Sequence, residues 1–398
     1  MLMLDKIYHA AFTMKNAIRQ TDLIYAPNIP SEGELYLKTE NLQVTGSFKV
    51  RGAYYKISQL SAEEKARGVI ACSAGNHAQG VARAAAMEGI SSKICLPDNA
   101  PISKIEATKN YGAEVVLVNG VYDDAYAKSR ELEKSEGRVF IHPFDDEDVI
   151  AGQGTIGLEL LEQLPDMDAV IVPIGGGGLI SGVAFAVKTL NPRCKVYGVQ
   201  AAGASAMANS VRDGMIETLP GVATFADGIA VKRPGDLTYD LVSKYVDEVV
   251  TVTDDETATA VLALIEQQKL IAEGAGAVAV AAAMFGKVDI KGKKAVCIVS
   301  GGNIDVNILS RVITRGLLKA GRFVNLCVAL TDKPGQLELV SRVIAKQGGN
   351  VVSVYYNRSE ENMAINSCFL TLQLETRDYA QVEAIRKALK EEGFEIVP

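Results

Sequence analysis

From Val69 onward the chain alternates short β-branched runs with longer stretches whose apolar residues recur every three to four positions. That is the pattern of a parallel sheet covered by helices. The run Val69–Cys72 precedes HAQGVARAAAME, Lys93–Leu96 precedes ISKIEATKNY, Val115–Val118 precedes DDAYAKSRELEKSE, and Val139–Ile141 precedes QGTIGLELLEQL. Ala169–Ile174 leads through four glycines into LISGVAFAVKTL and then to Val196–Gln200. Glu248–Val252 precedes DDETATAVLALIEQQ, whose opening carboxylates suit the positive end of a helix dipole. The last run of this kind, Ala295–Val299, passes into Ser-Gly-Gly-Asn.

Near residue 320 the pattern changes. A strand (Phe323–Leu330), the turn DKPG, a helix (Gln336–Lys346) and a Gly-Gly-Asn stop are followed by strands Val351–Asn357 and Cys368–Leu374. A helix over Tyr379–Glu392 and a strand over Phe394–Val397 complete a βαββαβ order, the ferredoxin-like unit. The expected fold class is therefore α/β, with two doubly wound, mainly parallel-sheet subdomains and a C-terminal ferredoxin-like α+β domain. The boundaries expected are 1–318 for the first part, 319–323 for a linker and 324–398 for the tail. Within the first part, a small subdomain from about 45 to 150 is inserted in the large one.

Composition narrows the function. With 48% hydrophobic and 22% charged residues over 398 positions, the chain has enough apolar material for a sizeable core. Lys plus Arg total 41 against 48 Asp plus Glu, a formal charge of −7 without a dense basic stripe. Nucleic acid and anionic membranes are therefore poor partners. The longest apolar stretch, Gly274 to Gly286, is far short of the ~18 residues that span a bilayer. The six cysteines (72, 95, 194, 297, 327 and 368) are scattered, as expected of reduced, buried thiols. His9, His77 and His142 are equally dispersed, so no zinc site is expected. Together with an N-terminal stretch that has no signal-peptide core, these features point to the cytoplasm.

Four segments could carry chemistry. Gly175 to Gly178 lies between a strand and a helix, where bare N–H groups can close around an anion; it reads almost equally as a flexible turn. It lacks the spacing of a dinucleotide site and the Gly-Lys-Ser/Thr of a nucleoside-triphosphate loop. In Thr45–Ala53, Lys49 stands beside Phe48 between two Gly-containing turns, where desolvation could free its amine to condense with a carbonyl. A lone lysine is more often a snorkelling surface residue. Ser73-Ala74-Gly75-Asn76-His77 follows a strand and opens a helix, suiting a carboxylate or serving as an ordinary cap. Ser300-Gly301-Gly302-Asn303 ends a strand at the edge where open α/β folds place ligands. Arg51 is expected at the surface. The Asp123–Asp124 pair and the acidic cluster at 145–148 are expected to be solvated faces or helix starts.

An anion cradle, an amine, a carboxylate-binding turn and a hydroxyl match pyridoxal phosphate better than other cofactors. TGSFKVRGA, CSAGNHAQGVA, GGGGL, EGAGA and SGGN, in this order, resemble the fold-type II pyridoxal-phosphate enzymes, specifically the threonine dehydratase (threonine ammonia-lyase) family, over roughly residues 5–318. The tail resembles an ACT regulatory domain. The resemblance implies pyridoxal 5'-phosphate joined to the Lys49 amine, with Phe48 beside the pyridine ring and Asn76 bonded to its phenolic oxygen. It implies Gly175, Gly176, Gly177, Gly178 and Leu179 around the phosphate, and Ser300 facing the ring nitrogen. Ser73, Ala74, Gly75, Asn76 and His77 would bind the substrate carboxylate, Glu273 would lie near the substrate's reacting end or serve only as a helix-start carboxylate, and no metal is implied.

The activity implied is deamination of L-threonine to 2-oxobutanoate and ammonia, with L-serine as a secondary substrate and regulation through the tail. Isoleucine or valine would be the effector in a biosynthetic enzyme, a nucleotide monophosphate in a catabolic one, and the assembly a homodimer or homotetramer. Serine racemase or serine dehydratase shares the scaffold. A racemase of this kind needs a serine as second base where this chain has Ala74, and the stretch after Gln200, AAGASAMAN, has no carboxylate to hold its cation. A catalytically silent amino-acid sensor would need neither Lys49 nor Ser300.

Overall fold

The structure is a computed structural model that describes residues 2–358 and 365–397. Six strands form the larger sheet, in the order Leu23–Tyr25, Glu34–Lys38, Lys294–Ile298, Ala169–Pro173, Lys195–Ala201 and Glu248–Val252. The first pair is antiparallel and the other pairings are parallel. Ala169–Pro173 is buried at every position, which is why it reads as an unbroken apolar run: helices cover both faces of such a strand. One of the helices on this sheet, Gly274–Met284, is buried continuously from Gly274 to Ala283, so the Ala-rich stretch is a core helix. No helix among the described residues is long and apolar enough to cross a membrane.

The smaller sheet has four parallel strands, ordered Glu114–Val118, Ser92–Pro97, Val69–Cys72 and Val139–Phe140. It has its own core, in which Ile57, Val69, Ile94 and Leu96 pack with Val81 and Ala85 of the helix Asn76–Met87. The larger sheet is built around Val170, Val172, Ile180, Val196 and Ile298. Parallel strands bring the loops at their carboxyl ends to one edge of each sheet, and these loops carry the chemistry-bearing segments.

The chain divides into two compact units between Val306 and Asn307. In the second, an antiparallel sheet runs in the order Asn350–Asn357, Ser367–Glu375, Phe323–Thr331 and Glu395–Val397. Strand Ser367–Glu375 alternates buried and half-buried residues, so Cys368, Leu370, Leu372 and Leu374 face a core shared with helices Gln336–Lys346 and Tyr379–Glu391. This is the ferredoxin-like arrangement read from the alternation. Helix Val306–Lys319 ends where the Arg322 N–H bonds the Leu317 carbonyl and Gly321 takes a φ of 65°.

Two expectations change. Arg51 is not at the surface: it is fully buried, its guanidinium 2.7 Å from Glu40 and 2.6 Å from Glu159. Lys49 does not stand in a loop between turns but opens the helix Lys49–Ser58. The six cysteines are free thiols, all buried except the partly exposed Cys327.

Candidate active site

The segment before Lys49 is fixed by its neighbours. Ser47 bridges Gly301 in an antiparallel pair, and the Phe48 N–H donates to the Ser300 carbonyl at 3.1 Å. Behind the helix, the buried carboxylate of Glu40 and the partly buried one of Glu159 grip Arg51, and Lys38 bonds Glu159 at 2.6 Å. The Lys49 Nζ is thereby directed into a cleft, where it donates to the Pro143 carbonyl at 2.8 Å and lies 5.3 Å from the Phe48 ring centroid. Burial pulls its pKa down to about 8, against the opposing pull of the Glu273 charge.

The glycine loop follows the central strand Ala169–Pro173 and opens the helix Gly178–Leu190. Gly177 has a φ of 102°, and a Cβ there would come within 2.7 Å of Thr238. A Cβ on Gly176 would lie 2.5 Å from the Phe144 ring. Only glycine fits both places. Thr238 Oγ1 donates to the Gly176 carbonyl at 2.6 Å, tying the carbonyl side of the loop back. The first N–H groups of the helix, which have no acceptor within it, are thus left for an anion.

Pro143 and Phe144 join the two parts, since one receives the Lys49 proton donor and the next packs on the glycines. Their loop is shaped by His142, whose Nδ1 accepts from the N–H groups of Phe144 (3.3 Å) and Asp145 (2.8 Å). Asp145 in turn accepts from the N–H groups of Asp236 and Thr238, both at 3.1 Å.

From the other side of the cleft come Ser73 to His77. Ser73 Oγ accepts from the Gly75 N–H at 3.1 Å, and Asn76 begins the helix Asn76–Met87. Asn76 Nδ2 donates to Glu273 Oε1 at 2.6 Å. Burial, then the nearby Asp227 charge, raise the Glu273 pKa to about 7. His77 is buried; its Nε2 must donate to the Ile141 carbonyl, 2.8 Å away, and burial followed by the Lys49 charge lowers its pKa to about 3. Its ring is therefore a neutral strut. Ser300 Oγ donates to the Ala275 carbonyl at 3.3 Å.

One cleft of about 950 Å³ is lined by Phe48, Lys49, Ser73 to His77, Gly175 to Leu179 and Ser300, the residues singled out from sequence. Several others in it were not: Pro143, Phe144, His142, Asp145 and the stretch from Asp227 to Asp236. The loop His142–Asp145 follows strand Val139–Phe140 at the same sheet edge as the other loops, and that position was the available signal. The stretch around Gly228–Pro234 has no periodicity and offers none. Of the acidic residues, Asp146 caps the helix Glu147–Gln163, and Asp123 and Asp124 both lie in the first turn of the helix Tyr122–Glu136; Asp123, exposed at that helix start, also lines the cleft and pairs with Lys232 at 2.9 Å.

A buried amine, a side-chain-free helix N-terminus for a phosphate and a neutral hydroxyl, all in one cleft, fit pyridoxal phosphate. The sequence pattern described as "Pyridoxal-phosphate dependent enzyme" matches residues 14–301. The chain is 52% identical over 399 residues to an L-threonine ammonia-lyase of Thermotoga maritima, covering 100% of this chain and 99% of that one. It is 53% identical over 283 residues to a catabolic L-threonine dehydratase of Escherichia coli, covering 71% of this chain and 86% of the relative. Among solved structures, maize serine racemase superposes with a TM-score of 0.75 at 37% identity, covering 80% of this chain and 98% of that one. Threonine deaminase isoform 2 of Solanum lycopersicum does so with a TM-score of 0.74 at 38% identity, covering 79% and 94%. On this match of pattern, sequence and fold, the chain belongs to the pyridoxal-phosphate-dependent enzymes, in the threonine ammonia-lyase family.

Proposed function

We propose that this protein deaminates L-threonine by β-elimination of water, giving 2-oxobutanoate and ammonia, with L-serine as a secondary substrate. The observation that carries the proposal is the burial of the Lys49 amine in the cleft that also holds the glycine loop and Ser300. When bound, pyridoxal phosphate supplies an electron-accepting ring conjugated to the substrate amine, which acidifies the Cα proton. The N–H groups around Gly175 to Leu179 would hold its phosphate, with Phe48 packing beside the ring and Asn76 donating to the ring oxygen. Ser73 to His77 hold the substrate carboxylate through the helix start.

Lys49 takes the Cα proton as general base, and its lowered pKa keeps a useful fraction of the amine neutral near pH 7. The β-hydroxyl departs as water; the released enamine then takes up one water and gives up ammonia, so the balance closes. Ser300, a neutral hydroxyl, cannot fully protonate the ring nitrogen, which favours prompt loss of the leaving group over a long-lived carbanion. Ala74 lines the cleft and has no proton to exchange, which supports elimination over racemisation.

Residues 324–398 are proposed as an ACT regulatory domain joined through 319–323 to a catalytic part ending at 318, and isoleucine, valine or a nucleotide monophosphate as its effector. A cytoplasmic homodimer or homotetramer completes the proposal.

The test is production of 2-oxobutanoate from L-threonine by the purified protein. Lys49→Ala is expected to abolish turnover, a loss of at least about 10³-fold. Unchanged kinetics in that variant, or D-serine formed from L-serine as fast as elimination proceeds, would remove the proposal.

A further inference from the structure

Of the Ser300–Asn303 turn, the proposed chemistry uses only Ser300. Asn303 nevertheless sits where three loops meet. Its Nδ2 donates to the Thr45 carbonyl at 2.8 Å and to Asn76 Oδ1 at 2.8 Å, so both of its amide hydrogens are committed. A backbone carbonyl can only accept, and the end of Asn303 facing Thr45 must therefore be its NH₂ group. Because that same NH₂ faces Asn76, Asn76 must answer with its carbonyl oxygen. The Asn76 NH₂ is left pointing the other way, where it meets Glu273 Oε1 at 2.6 Å.

The chain of bonds from Thr45 through Asn303 and Asn76 to Glu273 thus has a direction. Turning Asn76 over alone would set NH₂ against NH₂ at one end and a carbonyl against a carboxyl at the other. The anchor is firm as well. Thr45 is held by the bridge between Ser47 and Gly301, by the Phe48 N–H on the Ser300 carbonyl, and by the Gly302 N–H on the Gly46 carbonyl at 2.9 Å. Gly301 leaves room for the far end of the relay, because a Cβ there would meet Glu273 Oε1 and lie 3.2 Å from Asn76 Nδ2.

We infer that Asn303 is a positioning residue: through the Thr45 carbonyl it sets the Asn76 amide in the one orientation that presents an N–H to the ring oxygen of the bound cofactor. The inference rests on the proposed function. It adds to that proposal a residue that touches neither substrate nor cofactor.

The experiment measures pyridoxal phosphate affinity of the apo-protein by equilibrium dialysis, together with the visible absorption band of the reconstituted protein. Asn303→Asp preserves size but cannot donate to Thr45, and its oxygens attract the Asn76 NH₂, turning that amide over. Affinity is expected to fall about tenfold, the loss of a hydrogen bond to a charged acceptor, and the band to shift. In an Asn76→Ala background, where there is no amide to orient, Asn303→Asp is expected to change affinity by less than about twofold. Asn303→Ala, which leaves Asn76 free to choose, is expected to fall between the parent and Asn303→Asp, and it carries the test if the Asp variant does not fold. Affinity and band unchanged in both variants would overturn the inference, as would equal losses with and without Asn76. Failure of the parent protein to form a coloured complex would instead overturn the functional proposal.

Discussion

At the residue scale, what sets Lys49 apart is the removal of water from its amine. A lysine ammonium loses more from burial than the Glu273 charge returns, and its pKa falls from 10.5 to about 8. Between those two values the unfolded chain holds a proton that the folded one has shed. This group's contribution to apo-protein stability therefore rises with pH across that window and is lost as pH falls through about 8. The same shift sets reactivity, because only the neutral amine condenses with an aldehyde. Colour formation after adding pyridoxal phosphate to apo-protein is expected to quicken with pH and level off above a midpoint near 8. Glu273→Gln removes the opposing charge and should move the midpoint lower. A rate still climbing steeply beyond pH 10, like that of a solvated lysine, would contradict the assignment. Little of this was legible one residue at a time. Lys49 alone reads as a surface lysine, and only its company with the glycine loop and Ser300 marks it. Arg51, two positions on, reads as a surface residue because its partner Glu159 is 108 residues away and no local pattern announces the burial of an ion pair.

At the scale of the element, the helix Lys49–Ser58 is held by charge as much as by apolar packing. Arg51 donates to both oxygens of Glu40 and both of Glu159, and burial, which would lower its pKa, is outweighed by these carboxylates, so it is held above its usual value. Replacing the arginine alone leaves Glu40 fully buried without its main countercharge. Arg51→Met is expected to cost about 3–5 kcal/mol, because an unpaired buried charge is much worse than no pair at all. Urea denaturation followed by circular dichroism reads this directly, and a loss below about 1 kcal/mol would show the cluster to be a surface-like pair. The elements themselves divide by how they advertise burial. Parallel strands such as Val69–Cys72 are apolar at every position and were placed to the residue. The hairpin of Leu23–Tyr25 and Glu34–Lys38 leaves no such apolar run in the sequence. Its first strand is three residues long, and the second, Glu-Leu-Tyr-Leu-Lys, buries its terminal lysine against Glu159. Charge in the core hides a strand from any rule based on hydrophobicity.

At the scale of the whole molecule, each of the two compact units has an apolar core of its own. The core around the larger sheet runs no further than Ile298, and the core of the second unit begins at Leu326. Every residue lining the cleft lies at or before Ser300. The alternation of the tail made its sheet legible, because one face is buried and the other is not; the ligand it serves leaves no such periodic trace. The Escherichia coli relative aligns over 86% of its own length with only 71% of this chain, so most of that catabolic dehydratase is matched without the whole of this chain. A chain ending at Val306 is accordingly expected to bind pyridoxal phosphate and to deaminate threonine with kcat within about threefold of the full chain, a change of less than about 1 kcal/mol. Regulation requires more than a second fold: an effector must bind unequally to two states of the enzyme, and the coupling then appears as a shift in apparent substrate affinity. Threonine saturation curves recorded with isoleucine, valine or adenosine monophosphate should therefore shift about fivefold or more for at least one of them in the full chain, and for none in the chain ending at Val306. A shift that survives truncation would place the effector on the catalytic unit, and the absence of any shift in the full chain would end the assignment of the tail as a sensor of these three.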